Sequence, residues 1–171
     1  EGFNFNGHLT VNRTAAGRTQ CFNAGAVITG NFSYTNNTSG ASTCGTGSFA
    51  TNIGGTVNIA ASYTTKSAFT IYRLINQTTG GTINIQNTAG FYIQKDTLKV
   101  TSLSVTGYQT GAYGYLYNNS INGNVTIADD PSYTVGYYTV LYNNVITGTS
   151  SFPNNGTNPF SEANVGGTAT P

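Results

Sequence analysis

The sequence contains very few charged side chains. Only 6% of its 171 residues are Asp, Glu, Lys or Arg, the formal net charge is +1, and a single His is present. A nucleic-acid interface needs clustered Lys and Arg, and a catalytic site needs several titratable groups brought together. We therefore expect no nucleic-acid partner, no enzyme activity, no catalytic residues, no metal site and no cofactor.

Cysteine is also scarce, since Cys21 and Cys44 are the only two. Two cysteines are too few for a zinc site, and these two are too far apart for a CxxC redox motif. A structural disulfide and a pair of buried free thiols are the two interpretations that remain. The disulfide would close a loop of about 20 residues, which the chain-entropy model values at about 3 kcal/mol. Such a bond indicates an oxidising compartment.

Long apolar runs are missing as well. No run reaches the roughly 20 residues that a membrane-spanning helix requires. The sequence opens at Glu1 without an initiator Met or a signal-peptide pattern, and Gly, Asn, Ser, Thr and Tyr dominate it. We expect a processed, extracellular product that does not span a membrane.

Apolar residues are present chiefly in a period of two, which predicts strands along the whole chain. The strands are rich in Val, Ile, Thr, Tyr and Phe, and clusters of Gly and Asn separate them. This pattern predicts an all-β fold, an antiparallel β-sandwich of the Ig-like or pilin-like kind. Residues 13–171 would form the sandwich and residues 1–12 an N-terminal arm. We find no internal repeat of fixed period.

The N-terminal segment has the clearest alternation. One face of it would carry five residues and would be favourable to bury: Phe3, Phe5, Gly7, Leu9 and Val11. No two-residue hairpin turn follows, and a free apolar strand promotes association. Donation of this strand to a neighbouring subunit is one hypothesis, because β-augmentation of that kind builds pili. The other is that it forms the first strand of the chain's own sandwich.

Sequons for N-glycosylation are numerous, as expected where Asn, Ser and Thr are abundant. Each would place a sugar on the surface of an exported protein. We expect covalently attached N-glycans at several of them, against the alternative that none is modified. The candidate asparagines are Asn12, Asn31, Asn36, Asn37, Asn76, Asn118, Asn124 and Asn155.

Lysine offers one covalent hypothesis. An isopeptide bond between a Lys and an Asn, polarised by a nearby carboxylic acid, would resist pulling. The available amines are Lys66, Lys95 and Lys99, and the acids considered are Asp96, Asp129 and Glu162. The alternative for each Lys is an ordinary solvated side chain.

The main alternative hypothesis for the function is based on the tyrosine residues. Tyr113, Tyr115 and Tyr117 alternate, so they share one face of a strand. Rings with a polar tip can bind sugars or pack against a neighbouring subunit, and they also pack across strands inside a sheet. A secreted carbohydrate-binding module or tip adhesin is therefore the alternative to a structural subunit.

The segment Phe3 to Val11, the Thr/Asn/Ser/Tyr composition and the sequons together resemble subunits of archaeal surface filaments, in particular the thread filaments of the Sulfolobus group. The mode of assembly is similar to that of chaperone-usher pilins, whose donated strand has a small residue among its alternating apolar residues. Gly7 would match that small position. The resemblance implies a glycosylated β-sandwich that polymerises head to tail with copies of itself by donor-strand complementation. It also implies subunit linkage reinforced covalently, and a cell-surface filament supporting adhesion or biofilm formation through surface glycans or other cells.

Overall fold

A computed structural model describes residues 2–22, 24–45, 48–62, 68–108, 114–129, 139–152 and 161–170. These residues form nineteen short strands. In chain order they are β1 Phe3–Phe5, β2 Leu9–Arg13, β3 Thr19–Cys21, β4 Ala26–Ile28, β5 Phe32–Asn36, β6 Ser42–Gly45, β7 Thr51–Ile53, β8 Val57–Ser62, β9 Ala68–Tyr72, β10 Leu74–Asn76, β11 Gly81–Gln86, β12 Gly90–Gln94, β13 Thr97–Leu98, β14 Ser102–Tyr108, β15 Gly114–Tyr117, β16 Ser120–Ile121, β17 Asn124–Asp129, β18 Thr139–Ser151 and β19 Ser161–Thr170.

The strands wind into a parallel β-solenoid. Through most of the chain each strand pairs in parallel with the strand three places later, as β1 does with β4 and β4 with β7. Three sheets result, which begin with β1, β2 and β3 and which we call sheets 1, 2 and 3. The long β18 completes all three sheets in turn, and β19 pairs with β18 along the same path. One passage through the three sheets is called a coil.

The core fills the centre of the solenoid, because alternate residues of every sheet point inward. In β8 the burial alternates strictly along the strand. Inward residues of successive coils stack in columns, as in amyloid-like and solenoid architectures. One column of sheet 2 consists of Val11, Tyr34, Ile59, Ile83, Leu103 and Val125.

The columns match large residues with small ones where space is short. Gly114 pairs in register with Phe91 on the inner side of sheet 3. A Cβ atom added at Gly114 would lie 2.5 Å from the Phe91 ring, so only glycine fits there. An aromatic ring in one coil is thus accommodated by a minimal side chain in the next.

The backbone geometry at one corner of the solenoid recurs from coil to coil. Arg73, Lys95, Asn118 and Asn143 all have positive φ, between 52° and 58°. This left-handed conformation is uncommon for residues other than Gly, although Asn adopts it more readily than most. It turns the chain from sheet 3 into sheet 1 and places the following residue inside the solenoid.

The fold corrects the predicted β-sandwich. The chain is all-β, but its described strands pair in parallel rather than antiparallel. The strands β1 and β2 pair with β4 and β5 of the same chain, so the structure describes them as part of the solenoid, and their donation to a neighbouring subunit stays a prediction. A repeat does exist, although its length varies: hydrogen bonds between equivalent corner positions span 22, 23 and 25 residues.

Candidate functional site

The first coil, formed by β1, β2 and β3, is open at the N-terminal end of the solenoid. These strands pair on one side only, with β4, β5 and β6, and the described part of the chain places no strand on their other side. Their outer N–H and C=O groups are therefore available to another strand.

Apolar side chains of this coil are partly exposed, because the described residues cover them on one side only. Phe5 stands in register with Ile28, yet Phe5 is 38% exposed and Ile28 is 0% exposed. Phe3, in the neighbouring inward position, is 42% exposed. Leu9 and Val11 also face inward and pack on the core while remaining partly exposed. Solenoid ends are normally capped by polar segments, and the described residues provide no such cap over these apolar side chains, which makes this coil a candidate association surface.

The apolar surface continues onto the side of sheet 1. A groove of about 300 Å³ lies there, with Phe3, Val27, Phe49 and Asn52 among its walls. Val27 and Phe49 are exposed. Phe3 belongs both to the open end and to this groove.

The two cysteines lie beside the open end. Cys21 of β3 and Cys44 of β6 are in register on adjacent parallel strands, and they are not bonded in the structure. A hydrogen bond from the Cys44 thiol lowers the pKa of Cys21, and nearby Arg13 adds to the effect. The same hydrogen bond, together with burial, raises the pKa of Cys44 well above its usual range. Cys21 is therefore the better nucleophile of the two.

We expect Cys21 and Cys44 to be joined in the protein isolated from its native source. Adjacent strands lie about 4.8 Å apart, within the Cα separation that a disulfide bridges. Bond formation releases two protons and two electrons, which a disulfide-bearing oxidant accepts. Denatured, unreduced protein should show no free thiol, and reduction should cost about 3 kcal/mol of unfolding free energy. The Cys21→Ser/Cys44→Ser variant is the control, since reduction should not change it; two free thiols in the native protein would exclude the bond.

A polar ladder runs through the interior at the corner before sheet 1. Its members are Asp96, Asn119 and Asn144, all buried. Oδ1 of Asn144 accepts the backbone N–H of Asn119 at 3.1 Å, and Oδ1 of Asn119 accepts that of Asp96 at 3.0 Å. Oδ1 of Asp96 continues the series by accepting the N–H of Leu74 at 2.6 Å. The ladder ties successive coils together at a point where the sheet hydrogen bonds are interrupted.

Asp96 is the irregular member of this ladder. The Nδ2 groups of Asn119 and Asn144 donate to the carbonyls of Ile93 and Leu116. By the same repeat, the atom of Asp96 that corresponds to Nδ2 is Oδ2, which has no hydrogen-bond partner in the structure. Burial raises the pKa of the Asp96 carboxyl well above its usual range, although the N–H of Leu74 opposes this. Asp96 therefore occupies the position of an asparagine in the ladder without the donor group that Asn119 and Asn144 provide there.

Tyrosines form a partly exposed face on sheet 3. Tyr92 and Tyr115 are in register on β12 and β15, and their rings stack at 5.2 Å. Tyr117 meets Tyr115 edge to face at 6.3 Å, and the Lys95 ammonium lies 5.7 Å from the centre of the Tyr72 ring. Tyr113 lies outside the described residues. The rings therefore pack across strands of neighbouring coils, on the outside of the solenoid.

The sequons divide by burial. Asn36 and Asn76 are buried, and both amides are hydrogen-bonded, to Ser42 Oγ and to Thr78 O respectively. No glycan fits at these two positions in the folded chain. Asn31 is half-buried, and Asn155 lies outside the described residues. The exposed sequon asparagines are Asn12, Asn37, Asn118 and Asn124.

The proposed isopeptide groups are not brought together in the described part of the chain. Lys95 is exposed over Tyr72, and Lys99 Nζ donates to the carbonyl of Gln77 at 3.1 Å. Asp96 lies inside the ladder. Lys66 and the side chains of Asp129 and Glu162 lie outside the described part, so an isopeptide bond stays a prediction.

Other features give no further site. His8 Nδ1 accepts the backbone N–H of Asn31 at 2.9 Å. Among the described residues no three His, Cys, Asp or Glu side chains form a group that could hold a metal ion. Nor does the described chain contain a helix of the length and apolarity needed to cross a membrane.

Comparison with known proteins found no match: no protein-family model, no curated protein and no solved structure matches the chain.

Proposed function

We propose that this protein is a structural subunit of an extracellular surface filament, built by end-to-end stacking of solenoids. The observation that carries the proposal is the open first coil, with its unpaired strand edges and half-exposed Phe3 and Phe5. When this surface binds the opposite end of another copy, the contact is heterologous, and a heterologous contact that does not close gives a fibre. The donor-strand mechanism is not needed, because the N-terminal strands already belong to the solenoid.

The composition supports a place outside the cell. With 6% charged residues, solubility depends on hydroxyl and amide side chains and on any attached sugars. The exposed sequons and the adjacent cysteines fit an exported protein. Adhesion to cells or biofilm formation would follow from such a filament at the cell surface.

Replacing Phe3 and Phe5 together by Asp should abolish assembly. Two carboxylates at the contact would have to be buried without partners, which costs several kcal/mol. The variant should remain folded, because both side chains are already partly in water. Light scattering after size exclusion, with negative-stain microscopy, should show monomers where the unmodified protein forms filaments.

Ala60→Asp is the matched control for this experiment. Ala60 is exposed on the outside of β8, so the change adds a charge at an exposed apolar position in the middle of the solenoid, away from both ends. This variant should assemble normally. Filaments formed by the double Asp variant would refute the proposal.

A carbohydrate-binding module is the second candidate, favoured by the tyrosine face of sheet 3. Stacked rings with polar tips suit half-wet contacts with sugars. The rings of Tyr92 and Tyr115 cover one another, however, which leaves less aromatic surface for a ligand. A protein that stays monomeric at all concentrations and is retained on immobilised polysaccharide would favour this function over the filament.

A further inference from the structure

The partner that fits the open first coil is the last strand of a second copy. We infer that β19 of one subunit pairs in parallel with β1, β2 and β3 of the next, so that the solenoid continues without interruption across the junction. This inference rests on the proposed filament function and specifies how its subunits meet.

Both ends of the described solenoid present strand edges without a partner strand. β19 pairs with β18 in all three sheets, through Val140 with Ser161, Val145 with Gly166 and Ser150 with Ala169. The described residues provide no strand beyond β19, just as they provide none before β1, β2 and β3. Each end therefore offers one unpaired edge per sheet, and the numbers of edges match.

The parallel direction of the strands limits how two copies can meet. Every strand of a sheet in the described chain runs the same way as its neighbours. A second copy shifted along the solenoid axis keeps that direction, and it keeps the corners above one another. Two open ends meeting face to face would instead place antiparallel strands at the junction and reverse the path of the coil. Head-to-tail stacking alone preserves the pairing used throughout the molecule.

The pairing along sheet 3 defines the register of the two copies at the junction. An outward-facing column leads from Gln20 through the paired residues of successive strands to the last coil. Its members are Gln20, Thr43, Thr70, Tyr92, Tyr115, Val140 and Ser161. Continuing this column across the junction places Ser161 of one copy beside Gln20 of the next.

A column of sheet 2 defines a second register at the junction. Thr10 begins a column in which each pair is in register, and Thr149 and Thr168 end it. Its intermediate members are Ser33, Asn58, Thr82, Ser102 and Asn124, and Asn124 Oδ1 accepts the N–H of Thr149 at 3.0 Å. Thr168 of one copy should therefore lie beside Thr10 of the next.

Sheet 1 gives a third register. On sheet 1, Phe3 begins the column that reaches Asn144, and Val165 pairs with Asn144. Continuing this column across the junction places Val165 of one copy beside Phe3 of the next.

Engineered cysteines test this register. In the Cys21→Ser/Cys44→Ser background, first shown to assemble, four single variants are made: Gln20→Cys, Ser161→Cys, Thr10→Cys and Thr168→Cys. Variants are mixed in pairs, assembled and oxidised. The matched pairs, Gln20→Cys with Ser161→Cys and Thr10→Cys with Thr168→Cys, should cross-link about ten-fold or more faster than the crossed pairs, because adjacent thiols have an effective concentration in the mM range.

The outcomes separate the inference from the proposed function. Filaments in which the crossed pairs react as fast as the matched pairs would refute the register while leaving the filament intact. Filaments or closed dimers in which Gln20→Cys cross-links to itself would show the open ends meeting each other, and would refute head-to-tail stacking. Protein that forms no assemblies at all would refute both.

Discussion

Replacing Asp96 by Asn should raise the free energy of unfolding at pH 7 by about 2 kcal/mol or more. The unmodified chain leaves Oδ2 of Asp96 buried without a hydrogen-bond partner, and an unsatisfied buried polar group costs about 1–3 kcal/mol, more if it is charged. An asparagine at this position supplies the Nδ2 donor that Asn119 and Asn144 use towards Ile93 and Leu116. The equivalent acceptor for residue 96 is the carbonyl of Ile71, which pairs in register with Ile93.

The gain should depend on pH in a definite direction. In the unfolded chain Asp96 ionises near pH 4, whereas burial raises its pKa in the folded chain. Between the two values the folded protein holds a proton that the unfolded chain has lost, so stability falls as pH rises through the folded pKa. The stabilising contribution of the protonated form is complete below about pH 4. Asp96→Asn removes this dependence, so its advantage should grow from pH 4 upwards.

Chemical denaturation at several pH values, at concentrations where the protein is monomeric, measures this difference. Asn118→Asp is the control, because it adds a carboxylate at an exposed position of the same corner. The control should show no comparable pH-dependent change relative to the unmodified chain. An Asp96→Asn variant less stable than the unmodified chain at pH 7 would show that the carboxylate has a stabilising partner.

Replacing Asn119 by Ala should lower the free energy of unfolding by about 3–5 kcal/mol. The side chain accepts the N–H of Asp96 and donates at 2.9 Å both to Ile93 O and to Asn144 Oδ1. Its removal leaves these buried groups without partners in a region of low dielectric, where each is costly. The cavity left behind adds to the loss.

Thermal and denaturant unfolding with Ser120→Ala as the control tests this expectation. Ser120 is the next residue but is exposed, so its substitution should change stability by less than about 0.5 kcal/mol. Equal effects of the two substitutions would mean that the ladder adds nothing to the sheet hydrogen bonds around it.

Much of the local structure follows from the sequence. The period-two alternation correctly predicts an all-β chain. Phe5, Leu9 and Val11 lie in register with the buried residues Ile28, Phe32 and Tyr34, but on two strands that belong to different sheets. Gly7 lies between the two strands as a corner with φ of 135°, a conformation that favours glycine. The alternation does not reveal whether a strand of the same chain or of a neighbouring subunit covers that face.

The β-sandwich prediction was wrong for a physical reason. Parallel sheets are usually buried on both faces and show continuous apolar runs. The sheets of this solenoid have one face in the core and the other in solvent, as in β5 and β8. They therefore show the alternation typical of antiparallel sheets. The variable coil length also hides the repeat from any search for a fixed period.

The ladder leaves a signal in the sequence. Asn118-Asn119 and Asn143-Asn144 are identical pairs, 25 residues apart as measured by the hydrogen bond from Asn119 to Asn144. A pair of asparagines recurring at one coil length combines a residue that tolerates positive φ with a buried amide. Lys95-Asp96 continues the series with a charged residue at each position, which obscures the pattern.

Fibre diffraction from aligned, assembled protein tests most directly that the protein is a parallel β-solenoid stacked end to end. Strands that run around the filament axis and stack along it should give a strong meridional reflection at about 4.8 Å, the spacing of hydrogen-bonded strands. The Phe3→Asp/Phe5→Asp variant should give no filaments to align. A 4.8 Å spacing on the equator, with strands running along the filament as in donor-strand fibres, would contradict stacked solenoids.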